Sequence, residues 1–319
     1  MLQENDFPLV SIRCTVFNHE HYLRQCLDGF IMQKTNFRFE VIVHDDASTD
    51  GSAKIIEEYT QKYPDIIKPI YQKVNQFSLK KGGVRKAIDA AISPKSKYIA
   101  QCEGDDYWTN PHKLQTQIDF LESHPDYALC FHNAINHWED NSKPDSTIMT
   151  DGMTSREYSI EEIFQNWFYA TASFVYRKEV LSSPAKKEFE KYNDIVGDVP
   201  LILSASTVGK IYGMIDIMSV YRRHNNGWSM KNDFNITVFK SDLIEATIIG
   251  NNLPKILKKR IEEKYIPQAL NNAIFMHNAK GLKYIINNYP KYYWGACFKG
   301  LLLFIKSTLH SKFSKILHQ

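Results

Sequence analysis

The first 125 residues alternate apolar, β-branched runs with amphipathic segments, and that alternation leaves few folds open. Residues 9 to 17, LVSIRCTVF, read as a strand; in HEHYLRQCLDGFIMQK, which follows Asn18, apolar residues recur at helical spacing. FEVIVHD at 39 to 45 predicts a second strand, and ASTDGSAKIIEEYTQKY a second helix with Ser48 and Asp50 as capping candidates. The spacing predicts a third strand over Ile67 to Tyr71, a helix at about 83 to 92 and a fourth strand, KYIAQC, at 97 to 102. Such an order makes an α/β chain whose mainly parallel sheet is covered by helices. Ligands bind these sheets outside the carboxyl ends of the strands. The polar clusters TVFN, DDASTDG and EGDDYW fall at three such ends, so three loops are expected on one rim.

Beyond residue 125 the pattern loosens. YALCFH at 127 to 132 and ASFVY at 172 to 176 read as strands around a polar loop, HWEDNSKPDS, and IYGMIDIMSVY is strand-like. Helical spacing dominates from about 236. The expected organisation is one domain over 1–235, with a ligand-binding half at 1–125 and an acceptor-side half at 126–235, followed by a helical C-terminal region at 236–319.

With 43% hydrophobic and 24% charged residues in 319, the chain can bury a substantial core. Lys+Arg at 39 against Asp+Glu at 36 gives a net charge of +3, too balanced for a general nucleic-acid binder. Cys14, Cys26, Cys102, Cys130 and Cys297 lie far apart without a CxxC pair, as thiols of a reducing compartment do. The N-terminus lacks a basic, apolar secretory leader, and no apolar run reaches the roughly 18 to 20 residues that span a bilayer. A cytoplasmic protein, free or peripheral at the inner face of the cell membrane, is expected. The final segment, 291–319, carries five Lys, no acidic residue and many large apolar side chains. It suits an interfacial helix on an anionic membrane; a helix docked on the core or on a homodimer partner fits the same composition.

Glu103, Asp105 and Asp106 follow an apolar strand and precede Tyr107, Trp108 and Pro111, so their carboxylates sit on a short turn at the sheet rim. They could hold a divalent cation that neutralises a diphosphate. An isolated acidic turn more often caps the next helix; the two neighbouring polar strand ends reverse that preference here. Asp45 and Asp46 end the second strand, where ligand contact and capping compete as reasons.

Three segments together, PLVSIRCTVFNHEHYLRQCLDGF, EVIVHDDASTDGS and YIAQCEGDDYWTNPHKLQTQ, resemble the inverting family 2 glycosyltransferases of the GT-A fold over residues 8 to about 125. The resemblance implies transfer of a sugar from a nucleotide diphosphate donor, most often a UDP-sugar, with Mn²⁺ or Mg²⁺ as cofactor. The acceptor would be a glycan or a lipid-linked saccharide of bacterial surface polysaccharide synthesis. By the same resemblance Thr15, Phe17 and Asp46 line the base pocket, Asp105 contacts the ribose and Asp106 ligates the metal. Arg85 stands where such enzymes often place a base- or phosphate-contacting arginine, and a surface arginine is the equal alternative. Glu103 departs from the usual DxDD pattern, which weakens its own assignment to the metal.

Further on, VGDVPLILSAS resembles the family segment that carries the catalytic base, here Asp198, with Asp194 as fallback. A single displacement with inversion needs one carboxylate near the acceptor hydroxyl; a helix-capping role is the alternative for Asp198. YRRHNNGWS at 221 to 229 resembles the family's YRxH segment, which makes Arg222 and His224 candidates to approach the diphosphate or the metal, His224 as a metal ligand, with a structural histidine as the alternative; Trp228 would cover the sugar or acceptor or belong to the core. Two rivals remain. A nucleotidyltransferase would show a Gly-rich basic loop after the first strand, where this chain has TVFNHEHY; a non-catalytic sugar-nucleotide scaffold would bind donor without turnover.

Overall fold

The computed structural model describes residues 7–79, 82–166, 168–190, 198–225, 227, 262–263, 266–267, 270, 274, 279–292 and 294–295. Asp194 and Trp228 lie outside them, as does nearly all of the C-terminal basic and aromatic segment. The chain divides into two compact units, residues 1–234 and 235–319.

In the first unit the chain begins with β1 (Val10–Val16), α1 (Leu23–Ile31), β2 (Phe39–Asp45), α2 (Ser52–Lys62), β3 (Ile67–Tyr71), α3 (Gly83–Ala91) and β4 (Tyr98–Gln101). Then come β5 (Tyr107–Trp108), α4 (Lys113–Ser123), β6 (Tyr127–Trp138), β7 (Ser146–Thr147), β8 (Arg156–Glu157) and α5 (Ile160–Asn166). A 3₁₀ turn leads to β9 (Val175–Arg177), followed by α6 (Pro184–Phe189), α7 (Asp198–Ser206) and β10 (Lys210–Arg223). The sheet runs β3-β2-β1-β4-β9-β6-β10-β5. β3, β2, β1 and β4 pair in parallel, β6 and β10 pair in parallel, and β9 runs antiparallel between β4 and β6.

The core follows from composition. β1 buries Val10, Ile12, Cys14 and Val16, β2 buries Val41, Ile42 and Val43, and α1 lays Leu23, Cys26, Leu27 and Phe30 on the sheet. Near-continuous apolar strands are what a sheet covered on both faces requires. Phe30 meets Trp108 edge-on at 4.8 Å, and the Trp108 indole N–H donates to the Ala172 carbonyl at 2.8 Å. β5 is thereby tied to both α1 and the turn before β9.

The second unit contains α8 (Ala279–Asn288), with Ile285 buried. Ile266 and Leu270 are also buried, and Lys291 lies 3.9 Å from Glu262. Among the described residues no helix is long and apolar enough to cross a membrane.

Candidate active site

The loops after β1 and β2 are knitted together by polar side chains. Asn18 N–H donates to Ser48 Oγ, Thr49 N–H to Asn18 Oδ1, His19 N–H to Ser52 Oγ, Glu20 N–H to Asp50 Oδ2 and Gly51 N–H to Glu20 Oε2, all at 2.7 to 3.0 Å. Asp50 also accepts from the N–H of Ser52, the first residue of α2, but the N-cap itself is Gly51, and Ser48 serves the neighbouring loop. Asn18 and Ala47 adopt left-handed φ values of 58° and 63°. Asn tolerates that region, but for Ala47 it costs on the order of 1 kcal/mol or more, which the surrounding bonds must offset.

Asp46 is buried, and both its oxygens accept backbone N–H bonds, from Gln76 at 2.7 Å and Phe77 at 2.9 Å. The loop after β3 is therefore anchored on the residue expected to face the base. Phe17, at the tip of β1, is 39% exposed, as a ring free to stack on a ligand would be. Thr15 contributes its carbonyl, which accepts from Gly104 N–H at 2.9 Å and so fastens the acidic turn to β1. Gly104 is required there: a Cβ would stand 2.9 Å from His19 Nδ1 and Val16 Cγ2.

On that turn Asp106 is buried and its Oδ1 accepts the Arg222 backbone N–H at 2.9 Å. Asp105 Oδ2 lies 3.1 Å from His224 Nε2 and 3.7 Å from His19 Nε2. The strand end of β10 thus meets the turn after β4 and brings Asp105, Asp106 and His224 together. Burial opposes ionisation of Asp105, but His19 and His224 overcome it and hold its carboxyl below the usual range. Asp106 goes the other way: burial, then the charges of Asp105 and Glu103, push it well above that range. Burial with the Asp105 charge pushes Glu103 up to about 8, and Asp198 adds to the effect. Burial raises Asp198, the first residue of α7, to about 6, against hydrogen bonds from the N–H groups of its own helix start.

A divalent cation suits this chemistry. Burial and then the neighbouring charges push the carboxyls of Glu103 and Asp106 up, and the His224 Nδ1 is buried without a hydrogen-bond partner. Among the described residues no three His, Cys, Asp or Glu side chains form a complete cage, so an ion here would take its remaining ligands from substrate phosphate and water, as Mg²⁺ sites usually do.

The charge excess yields a test. In the folded metal-free protein Glu103 keeps its proton up to about pH 8, whereas its ordinary value is 4.5. The folded state therefore binds the extra proton between those values, and stability is lost progressively as pH rises through that window. Glu103→Gln should leave the melting temperature near wild type at about pH 5 and raise it by several degrees at about pH 8. Equal melting curves at both pH values would remove the charge crowding.

Other residues fall elsewhere. Arg85, in the first turn of α3, has its Nε 3.5 Å from Glu190 Oε1, in a group with Arg13 and Lys186. The Arg222 guanidinium is bonded to Glu139 and Gln25 and packed between aromatic rings. Sequence reading missed His19, Tyr22, Gln25 and Glu139. His19 could have been flagged by its place at the rim two residues after Phe17, but Glu139 sits in a polar run with nothing to single it out.

The profile described as Glycosyl transferase family 2 matches residues 11–183. A protein of Mycobacterium tuberculosis described only as uncharacterized is 36% identical over 224 residues, which is 68% of this chain and 60% of that relative's length. The fold is similar to that of S. aureus TarS 1-349 in complex with UDP-GlcNAc, with a TM-score of 0.63 at 16% identity, over 89% of this chain and 80% of that one. It is also similar to the mannosyltransferase PcManGT from Pyrobaculum calidifontis in complex with GDP-Man and Mn²⁺, with a TM-score of 0.53 at 14% identity, over 94% and 82%. With a profile that covers more than half of the residues, and a mostly parallel sheet of the GT-A type beneath the matched motifs, the chain belongs to glycosyl transferase family 2.

Proposed function

We propose that the protein is a metal-dependent inverting glycosyltransferase that moves a sugar from a nucleoside diphosphate donor, UDP favoured, to an acceptor hydroxyl. The observation that carries the reading is the meeting of Asp105, Asp106 and His224 at the strand rim. Phe17 and Thr15 would bound the base site, with Asp46 holding the loop that closes it, and Asp105 would orient the ribose. Asp106 and His224 would hold Mn²⁺ or Mg²⁺; when bound, the cation neutralises the departing diphosphate. Asp198 would accept the acceptor's proton as its oxygen attacks the anomeric carbon opposite the leaving group. A carboxyl pushed up to about 6 is ionised at neutral pH and more basic than an ordinary aspartate. The donors named for TarS and PcManGT support a nucleotide-sugar ligand, and the ion named for PcManGT supports the cation. The reading extends to a glycan or lipid-linked acceptor of surface polysaccharide assembly, met at the inner face of the membrane; the lysine-rich, aromatic segment 291–319 supports that setting.

The test is release of nucleoside diphosphate from a panel of UDP, GDP and dTDP sugars, with and without Mn²⁺, with membrane extract as acceptor source. One donor should be turned over in a cation-dependent manner. A protein that binds none of them with any cation would sink the transferase reading.

A further inference from the structure

We infer that Glu139 is a positioning residue for the cation site, acting through Arg222 on Asp106 and His224; the inference rests on the transferase reading above. Glu139 follows the last residue of β6, at the rim where β6, β10 and β5 end side by side. Its backbone N–H donates to the Arg223 carbonyl at 3.0 Å, and its Oε1 takes the Arg222 Nη1 at 2.5 Å. One residue thus holds β10 by both main chain and side chain.

Arg222 is enclosed on the other sides. Its second Nη donates to Gln25 of α1, and its guanidinium lies 5.1 Å from the Tyr22 ring centre and 4.5 Å from that of Tyr107. A guanidinium between two rings with a carboxylate at its edge has little freedom left. The peptide that carries this side chain donates to Asp106 Oδ1, so a side chain that cannot move holds that N–H in place. Two residues on, the His224 ring packs on the same Tyr22 ring at 4.5 Å while its Nε2 meets Asp105. Asp106 and His224 therefore share one support, and Glu139 supplies its only carboxylate among the described residues. Partners that orient metal ligands typically change metal affinity or activity by about 10- to 100-fold when removed.

The test titrates Mn²⁺ against full-length protein in the presence of UDP, following free Mn²⁺ by its EPR signal, alongside melting temperature. Glu139→Gln should weaken Mn²⁺ binding by about 10- to 100-fold, with kcat at saturating Mn²⁺ within a few-fold of wild type; Glu139→Asp, which keeps the charge, should recover part of the affinity. Because a guanidinium left without its carboxylate destabilises the fold, the double variant Glu139→Gln with Arg222→Met removes both charges. It should recover the melting temperature, as replaced buried pairs often do, and it should not recover Mn²⁺ affinity. If Glu139→Gln binds Mn²⁺ as tightly as wild type, or if the double variant regains affinity together with stability, the positioning role is overturned and the pair is only structural. Wild-type protein that binds no Mn²⁺ in the presence of UDP overturns this inference, while the transferase reading stands or falls on the donor panel.

Discussion

Asp198→Asn is expected to lower kcat by about 10²- to 10⁴-fold while donor affinity stays within a few-fold of wild type. The amide matches the carboxylate in shape and still accepts the N–H bonds at the start of α7, so the helix is retained; what it loses is the capacity to take a proton. The same residue fixes the acid limb of the pH profile. With its carboxyl at about 6 in the free protein, the active, ionised form declines below that pH, and wild-type kcat/KM should fall about tenfold per pH unit there. Calorimetric binding of the donor beside steady-state turnover checks both halves. An Asp198→Asn protein that binds donor and turns over at the wild-type rate, or a wild-type profile flat to well below pH 6, would leave Asp198 as a helix cap alone.

Much of this site was legible in the sequence because its parts obey local rules. An apolar β-branched run followed by polar residues marks a strand end, and parallel pairing of β1 with β2 and β4 brings those ends together. The strands at 39–45 and 67–71 lie where the pattern predicts them. What was not legible depends on long-range partners. The pattern ends the strand at His132 and starts the polar loop at His137, but β6 continues to Trp138 because pairing with β10 satisfies its backbone out to Arg223 and Trp138. The 172–176 strand begins later, at Val175, since Thr171–Ser173 turn as a 3₁₀ helix beneath the Trp108 indole. Arg222 read as a phosphate ligand because its segment resembles a family motif, yet its partners Gln25 and Glu139 are 197 and 83 residues away in sequence. No local pattern encodes such a meeting.

The same distinction explains Asp46. Its place at the end of an apolar strand marks it as special, and the special reason includes two backbone N–H groups of a loop 30 and 31 residues further on. A carboxylate that organises a loop and one that meets a base are not alternatives, since each oxygen has a second lone pair to offer.

Asp106→Asn should abolish cation-dependent turnover, by at least about 10³-fold, the equivalent of the several kcal/mol of charge stabilisation a bound cation supplies. It should also make the metal-free protein more stable. Burial, with the charges of Asp105 and Glu103, pushes the Asp106 carboxyl well above the usual range, so the folded metal-free protein keeps this proton to a higher pH than the unfolded chain does, a stability term lost as pH rises. Asparagine is neutral without that proton and keeps an oxygen for the Arg222 N–H, so the fold gains what the site loses, the usual direction of trade at a functional position. Wild type with Mn²⁺ and UDP should show the opposite sign: binding to the folded state raises its melting temperature, by the equivalent of about 2.7 kcal/mol at a hundredfold excess over Kd. Thermal melts of both proteins, with and without Mn²⁺ and UDP, give four curves that separate these effects. If Asp106→Asn melts below wild type without metal and still rises on adding Mn²⁺ and UDP, Asp106 is a structural residue and the cation belongs elsewhere.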